Sequence, residues 1–159
     1  VNLVGSFNVA KACAEQMQGN EAGVEGERGV IVNTASVAAY EGQIGQAAYS
    51  ATKAGLHGLT MAMAYDHFHQ RIAVNMVIPG GGGIVSGMSL GRLGGTGTED
   101  DVARLRASAP GTVAGRPATG SDIAHAVAFL LSPGAETLSG TVIDVGCFAG
   151  QGGPLRSPA

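Results

Sequence analysis

The sequence is poor in the residue types that mark several protein classes. Its 159 residues include no tryptophan, only two cysteines and 13% charged residues. Cys13 and Cys147 are too few for a disulfide framework or a cysteine-rich zinc site. The apolar runs fall well short of the roughly 20 residues that a membrane-spanning helix needs. A net charge of −3 gives no basic footprint, so we expect neither a nucleic-acid nor a membrane partner.

Glycine and apolar side chains are abundant instead. Glycine accounts for 27 residues and hydrophobic residues for 45% of the chain, and the mean hydropathy is +0.20. This is the opposite of a disordered composition. The first residues contain no charged region followed by an apolar one, so we expect no secretory leader. The composition predicts a soluble, cytoplasmic globular chain of one domain, or part of one.

Hydrophobic periodicity predicts helices that alternate with short, buried strands. The first helix is predicted over residues 2–18, with an apolar side formed by Leu3, Phe7, Val9, Ala10 and Cys13. A strand is predicted around Val30–Val32, then a loop over 37–46, a helix over 47–70 and a strand over 72–78. Residues 80–97 read as a glycine-rich loop, followed by a helix capped by Thr98, a helix capped by Ser121 and a strand over 141–145.

This order of elements predicts an α/β fold with a parallel sheet. Three strands are fewer than such sheets usually have, and one side of the sheet would be an open hydrophobic edge. We therefore predict the C-terminal half of a doubly wound, Rossmann-like domain over residues 1–150, followed by a disordered tail over 151–159. The chain begins at Val1 inside an uncapped apolar segment, which predicts that the N-terminal part of something larger is missing.

The chemically distinctive feature is Tyr49-Ser-Ala-Thr-Lys53 near the start of the long helix. Residues four apart share a helical face, so the phenol and the ammonium can line one pocket. A nearby cation favours the phenolate, which makes a tyrosine usable as an acid or base near neutral pH. Ser36 follows the buried strand, at the sheet edge where α/β folds place their sites. Its hydroxyl could bind a carbonyl or alcohol oxygen while Tyr49 exchanges the proton.

In five segments the sequence resembles the short-chain dehydrogenase/reductase family: VNLVGSFNVA, VNTASVAA, YSATKAG, IAVNMVIPG and SGTVIDV. The resemblance implies an oxidoreductase that moves a hydride between NAD or NADP and a small hydroxy/oxo substrate. It implies that Ser36 orients the reacting oxygen and that Tyr49 is the general acid/base. Lys53 would assist Tyr49 and hold the nicotinamide ribose, and Asn2 would anchor a water that links Lys53 to solvent.

The same resemblance implies a set of cofactor contacts, namely Tyr49, Lys53, Pro79, Gly80, Gly82 and Ile84. At the last of these positions the family usually has a threonine, and isoleucine cannot hydrogen-bond a carboxamide. Ser86 could substitute if the glycine run shifts the loop. The family's usual Asp-Gly-Gly is Asp144-Val145-Gly146 here, a second departure. The family's diphosphate-binding turn would lie upstream of Val1.

Two other motifs do not predict sites. Residues 91–97 have the spacing GxxxGxG, but no buried strand precedes them. Acidic residues at 99–101 would repel a diphosphate, so we interpret this segment as a flexible flap over the substrate. His67 and His69 point apart on a helix, while His57 and His125 are isolated packing or surface residues. We predict no metal site.

Two functional hypotheses remain at this stage. Residues 1–54 look most like type-2 3-hydroxyacyl-CoA dehydrogenases, through RGVIVNTASVAAYEGQIGQAAYSATKAG, which favours an oxidoreductase. The alternative is a truncated, catalytically inactive fragment or interaction remnant of such an enzyme. The resemblance also implies a homodimer or homotetramer through the two long helices, where Gly55, Gly58 and Ala62 would allow close approach. An intramolecular core explains the same residues.

Overall fold

Three parallel strands form the centre of the structure, which is a computed structural model. It describes residues 1–42, 44–80, 84–92, 94–108, 112–114 and 116–146. The strands β1 (Gly29–Thr34), β2 (Ile72–Pro79) and β3 (Val142–Val145) lie in the order β1-β2-β3. In this register Val30 is opposite Ala73, and Met76 is opposite Val142. The predicted parallel α/β sheet is confirmed, whereas Gly82 and the tail at 151–159 lie outside the described residues.

Five helices flank the sheet in the described part of the chain. They are α1 (Val4–Met17), α2 (Ala47–Asp66), α3 (Gly87–Arg92), α4 (Glu99–Ser108) and α5 (Gly120–Leu130). Ile72 and Val74 of β2 pack against α1 and α2. Because side chains alternate across a strand, Ala73 lies on the other face, where it lines a groove with Leu130 of α5. No helix among the described residues is long and apolar enough to cross a membrane.

The buried face of α1 differs from the predicted one. Ala10 and Ala14 are buried against the sheet, whereas Phe7 is 45% and Val9 65% exposed, and Cys13 is exposed. Small side chains face the sheet because they let the helix approach it closely. Of the larger apolar residues of α1, Val4, Phe7 and Val9 are exposed, whereas Met17 packs against the core.

Several element boundaries also differ from the predictions. The α-helical part of α2 ends at Asp66, and a 3₁₀ turn, Phe68–Gln70, leads to Arg71, which has φ 59°. The loop predicted over 80–97 contains the short helix α3. The cap of α5 is Thr119 rather than Ser121. These differences arise because capping and turn residues within two or three positions of one another give the same sequence signal.

Two buried asparagines of the sheet hydrogen-bond to neighbouring parts of the chain. Asn75, which is fully buried, donates to the carbonyl of Leu138 at 2.8 Å and accepts from the N–H of Thr141 at 3.0 Å. Asn33 of β1 donates to the hydroxyl of Thr60 on α2 at 3.0 Å. These bonds satisfy groups that would otherwise be buried at a cost, and they hold the start of β3 and the middle of α2 in register with the sheet.

Candidate active site

Ser36 stands just beyond the carboxyl end of β1. Its backbone is extended (φ −167°, ψ 152°), and it caps the 3₁₀ turn Val37–Ala39. The hydroxyl oxygen accepts a hydrogen bond from the N–H of Ala38 at 3.2 Å. A serine hydroxyl has one proton to donate, and this bond does not use it. The capping contact therefore orients the oxygen while leaving the proton available for another acceptor.

Tyr49 and Lys53 lie one turn apart at the start of α2. The Lys53 ammonium nitrogen is 5.7 Å from the centre of the Tyr49 ring. The same nitrogen donates to the carbonyl of Thr34 at 2.8 Å, which ties the helix to the end of β1. Partial burial lowers the pKa of Lys53 from its ordinary value, because desolvation disfavours the charged form. Two of its three N–H donors remain for other partners.

The opposite wall of the site comes from the end of β2 and from α3. Pro79 and the buried Gly80 form its base, and Ile84 and the α3 residue Met88 form an apolar side. Gly146, at φ +110°, lies against Gly80: a Cβ there would be 3.3 Å from the Gly80 Cα. This close approach lets the chain pass directly beneath the Pro79-Gly80 turn.

These two walls enclose one open cleft of about 470 Å³. That volume is in the range of small-molecule sites. Ser36, Tyr49 and Lys53 line the cleft, and so do Pro79, Gly80 and Ile84. The structure thus brings together all the predicted site residues except two. Gly82 lies outside the described residues, and Asn2 lies elsewhere.

Asn2 lines a separate groove on the other side of Lys53. This groove, of about 580 Å³, runs between α1 and β1, and Lys53 lines both it and the cleft. Asn2 is exposed, and its carbonyl accepts from the Ser6 hydroxyl at 2.8 Å. The water-anchoring role of Asn2 therefore stays a prediction. Lys53 lies between the groove that Asn2 lines and the cleft that holds Tyr49.

Ser86 and Ser89 place hydroxyls in the cleft, in the segment where Ile84 has none. Ser86 N–H donates to the Ser89 oxygen at 2.8 Å, and Ser89 N–H donates to the Ser86 oxygen at 3.1 Å. The Ser89 hydroxyl also donates to the carbonyl of Ile84 at 2.6 Å. Both serines line the cleft. The sequence analysis named Ser86 but did not predict its pairing with Ser89, because the spacing Ser-x-x-Ser is common in loops.

Other contributors to the cleft could not be found from the sequence. The carbonyl of Thr34, which binds Lys53, is a backbone group that no motif records. Gly120 and Ile123 of α5 reach the cleft from far along the chain. Only the packing of α5 beside the end of β2 brings them there.

Residues 96–98, at the end of the glycine-rich segment, direct their backbone N–H groups toward a carboxylate of this chain. The N–H groups of Thr96, Gly97 and Thr98 all donate to one carboxylate oxygen of Asp101, at 2.9–3.1 Å. The Arg104 guanidinium, which pairs with this carboxylate, and the backbone N–H groups hold the pKa of Asp101 well below its usual range. The segment's backbone donors are thus used by a carboxylate of this chain, which supports the rejection of a dinucleotide turn there.

Comparisons with known proteins identify the family. Residues 1–89 match the short chain dehydrogenase family. The chain belongs to this family. It is 54% identical over 80 residues to 3-hydroxyacyl-CoA dehydrogenase type-2 of Bos taurus, covering 50% of this chain and 31% of that protein. It is 39% identical over 147 residues to the protein named inactive 2-(S)-hydroxypropyl-CoM dehydrogenase 2 of Xanthobacter autotrophicus, covering 91% of this chain and 59% of that one.

A solved structure gives the same result for the fold. The crystal structure of 3-hydroxyacyl-CoA dehydrogenase type-2 from Mycobacterium avium matches with a TM-score of 0.74 at 36% identity. The match covers 99% of this chain and 55% of that one. The short-chain dehydrogenase chain described here therefore spans between about a third and three fifths of the relatives it matches. The family resemblance and the Rossmann-like fold predicted from the sequence are confirmed.

Proposed function

We propose that the cleft carries the proton-transfer part of a short-chain dehydrogenase reaction on a hydroxy/oxo substrate. The observation that carries this proposal is the convergence of Ser36, Tyr49 and Lys53 on one cleft, two of them from α2 and one from the end of β1. In the oxidation direction Tyr49 takes the hydroxyl proton, and in reduction it returns that proton to the carbonyl oxygen.

Each of the other two side chains has a physical role. Ser36 donates its proton to the reacting oxygen, because the hydrogen bond from Ala38 N–H uses an acceptor site of the hydroxyl and leaves that proton free. Lys53 places its ammonium nitrogen 5.7 Å from the centre of the Tyr49 ring, where a positive charge stabilises negative charge that develops during proton transfer. The bond to Thr34 fixes the position of that charge. Electrostatic groups held in place before the reaction need no reorganisation during it.

The cleft fits one half of a nicotinamide cofactor. Lys53 retains two donors that could bind ribose hydroxyls, and Pro79 and Gly80 form the base of the cleft. When bound, the cofactor supplies the hydride acceptor or donor. Ile84 departs from the threonine of the family, so the carboxamide would need another partner. None of the described residues that line the cleft distinguishes NAD from NADP, so we propose either cofactor.

For the substrate, we propose an acyl-CoA with a 3-hydroxy or 3-oxo group. This proposal is supported by the 54% identity to a protein named 3-hydroxyacyl-CoA dehydrogenase type-2. The apolar wall of Ile84, Met88 and Ile123 suits an acyl chain. We further propose that the complete enzyme is cytoplasmic and is a homodimer or homotetramer.

The test is the exchange Tyr49→Phe. With acetoacetyl-CoA and NADH, we expect turnover to fall by about 10²–10⁴-fold, because the acid/base group is lost. Binding of NADH, followed by its fluorescence, should change little. Tyr65→Phe is the matched control, since Tyr65 lies on the same helix and is 79% exposed. Near-normal turnover by the Tyr49 variant would refute the assignment.

A second candidate is an inactive member of the family that serves in an interaction. Two observations favour it: Ile84 stands where the family has a hydroxyl, and one relative with 39% identity is named inactive. The same NADH titration separates the candidates. Saturable binding by the unaltered chain contradicts the inactive candidate, whereas absence of binding and turnover leaves the family assignment intact and this chain inactive.

A further inference from the structure

Two consecutive residues at the end of β1 bind the same face of α2. The Asn33 amide donates to the Thr60 hydroxyl at 3.0 Å. The carbonyl of the next residue, Thr34, accepts from the Lys53 ammonium group at 2.8 Å. Lys53 and Thr60 are seven positions apart, which is close to two turns of an α-helix. The two bonds therefore restrict both the rotation of α2 against β1 and its position along its own axis.

Apolar packing lies between these two hydrogen bonds. Leu56 follows Lys53 by three positions, on the same face of α2, and is 1% exposed. It shares a buried cluster with Ala35, directly after β1, and with Met76 and Ile78 of β2. Apolar contacts hold the helix on the sheet but have no directional preference. The hydrogen bonds on either side of Leu56 supply the direction that this packing lacks.

The bond between Asn33 and Thr60 has one arrangement of donor and acceptor. The Thr60 hydroxyl donates its proton to the carbonyl of Leu56 at 2.8 Å. A hydroxyl has a single proton, so toward Asn33 the same oxygen acts as an acceptor. Thr60 is fully buried and Asn33 is 8% exposed. Loss of the hydroxyl would leave a buried amide without this partner, which costs free energy.

The chain segments joined by these bonds also carry the residues of the cleft. Ser36 follows Thr34 by two positions, and Tyr49 lies one turn before Lys53. Both Ser36 and Tyr49 line the cleft. A displacement of α2 along β1 would therefore move the Tyr49 phenol relative to the Ser36 hydroxyl. A misplacement of about 1 Å can lower a reaction rate by about 10²-fold.

We propose that Asn33 and Thr60 are positioning residues for the reaction in the cleft. Their hydrogen bond sets the register of α2 on β1, and with it the placement of Tyr49 and Lys53 opposite Ser36. Neither is among the described residues that line the cleft, so both act through those three side chains. The effect on turnover rests on the proposed function, whereas the effect on the surroundings of Lys53 does not.

Thr60→Val tests this role, because valine has a similar shape and no hydroxyl. If α2 shifts, the Lys53 ammonium group becomes more hydrated, so we expect the midpoint of its Cε titration to rise toward 10.5. Thr60→Ser keeps the hydroxyl and should return the midpoint to that of the unaltered chain. Ile72→Val is the control, since it also costs stability in the core but lies at the opposite end of β2 from the cleft.

The kinetic readout uses acetoacetyl-CoA and NADH. We expect Thr60→Val to lower kcat by about tenfold or more and to change KM by less than about twofold, because the cleft still binds its ligands but holds Tyr49 out of place. Thr60→Ser should recover most of the lost kcat, and Ile72→Val should keep it. The Lys53 titration needs no turnover, so failure of the positioning role is distinguishable from failure of the proposed function.

Two results would overturn the inference. One is a Thr60→Val chain whose Lys53 midpoint, or whose kcat where the unaltered chain turns over, is unchanged. The other is an equal change in Ile72→Val, which would show a general loss of stability. If Thr60→Val does not fold, Asn33→Leu combined with Thr60→Val leaves neither partner buried and unpaired. An unchanged Lys53 midpoint in that double variant would equally contradict the positioning role.

Discussion

The Lys53 side chain contacts the ring of Tyr49 and the carbonyl of Thr34, and its ammonium group is partly desolvated. This desolvation lowers the pKa of Lys53 below the ordinary value of 10.5. The sequence spacing predicted that Tyr49 and Lys53 would share a face. The Thr34 bond and the burial could not be predicted, because both depend on how α2 packs against the end of β1.

A pH titration tests the state of Lys53. We expect its Cε resonance to titrate with a midpoint below 10.5. Since the native state holds this proton less tightly than the unfolded chain, the free energy of unfolding should rise as pH increases from the native pKa toward 10.5. Lys53→Met should remove that rise. A midpoint at or above 10.5 would contradict the desolvation.

Gly146 is a residue whose backbone, rather than its side chain, supports the site. Its φ of +110° disfavours any other residue, and a Cβ would lie 3.2 Å from the Ala118 Cβ. We expect Gly146→Ala to lower the free energy of unfolding by about 1–3 kcal/mol, measured by urea denaturation. Gly120→Ala is the control, because a Cβ at Gly120 would meet nothing within 4 Å. Equal stability of both variants would argue against the strain.

At the level of single elements, α5 begins at a cap formed by Thr119, two residues before the predicted cap Ser121. The Thr119 hydroxyl accepts from Asp122 N–H, and the Asp122 carboxylate accepts from Thr119 N–H at 2.8 Å. Arg116 binds the same carboxylate with two N–H groups, at 2.7 and 2.8 Å. Ser121 and Thr119 are both good capping residues. Asp122 stands at the capping-box distance from Thr119, whereas Ala124 stands at that distance from Ser121, and Arg116 adds two hydrogen bonds to the Asp122 carboxylate.

We therefore expect Thr119→Ala to lower the free energy of unfolding by about 1 kcal/mol, whereas Ser121→Ala should change it by much less. Thermal and urea unfolding measure both. The ion pair with Arg116 holds the pKa of Asp122 well below 3.8, so its contribution is present at neutral pH and is lost as acid titrates the carboxylate below that value. A larger loss of stability in the Ser121 variant than in the Thr119 variant would show that Ser121 caps the helix.

At the scale of the whole molecule, the long helices present an open face that the fold itself does not cover. A Cβ at Gly55 would lie 2.8 Å from Leu3 Cδ2, so Gly55 serves contact between α1 and α2 within the chain. A Cβ at Gly58 would meet nothing within 4 Å, and Ala62 is exposed. The intramolecular interpretation of the small residues therefore holds for Gly55, while Gly58 and Ala62 remain free for the proposed self-association.

We expect Ala62→Glu to shift the chain toward the monomer in sedimentation velocity, because a charge at a close helix contact must be desolvated. Its thermal midpoint should stay near that of the unaltered chain. Ala124→Glu on the exposed side of α5 is the control. Self-association that is insensitive to the Ala62 exchange would place the contact on another surface.

Local periodicity was enough to predict the class of fold, the order of the strands and the shared helical face of Tyr49 and Lys53. The β-branched runs also predicted the parallel sheet and its open edge. Three features emerged from packing alone: the buried face of α1, the position of Asn2 across Lys53 from the cleft, and the contributions of Thr34 and Ile123 to the site. Those features depend on contacts between residues far apart in the chain, whose packing leaves no periodic signal.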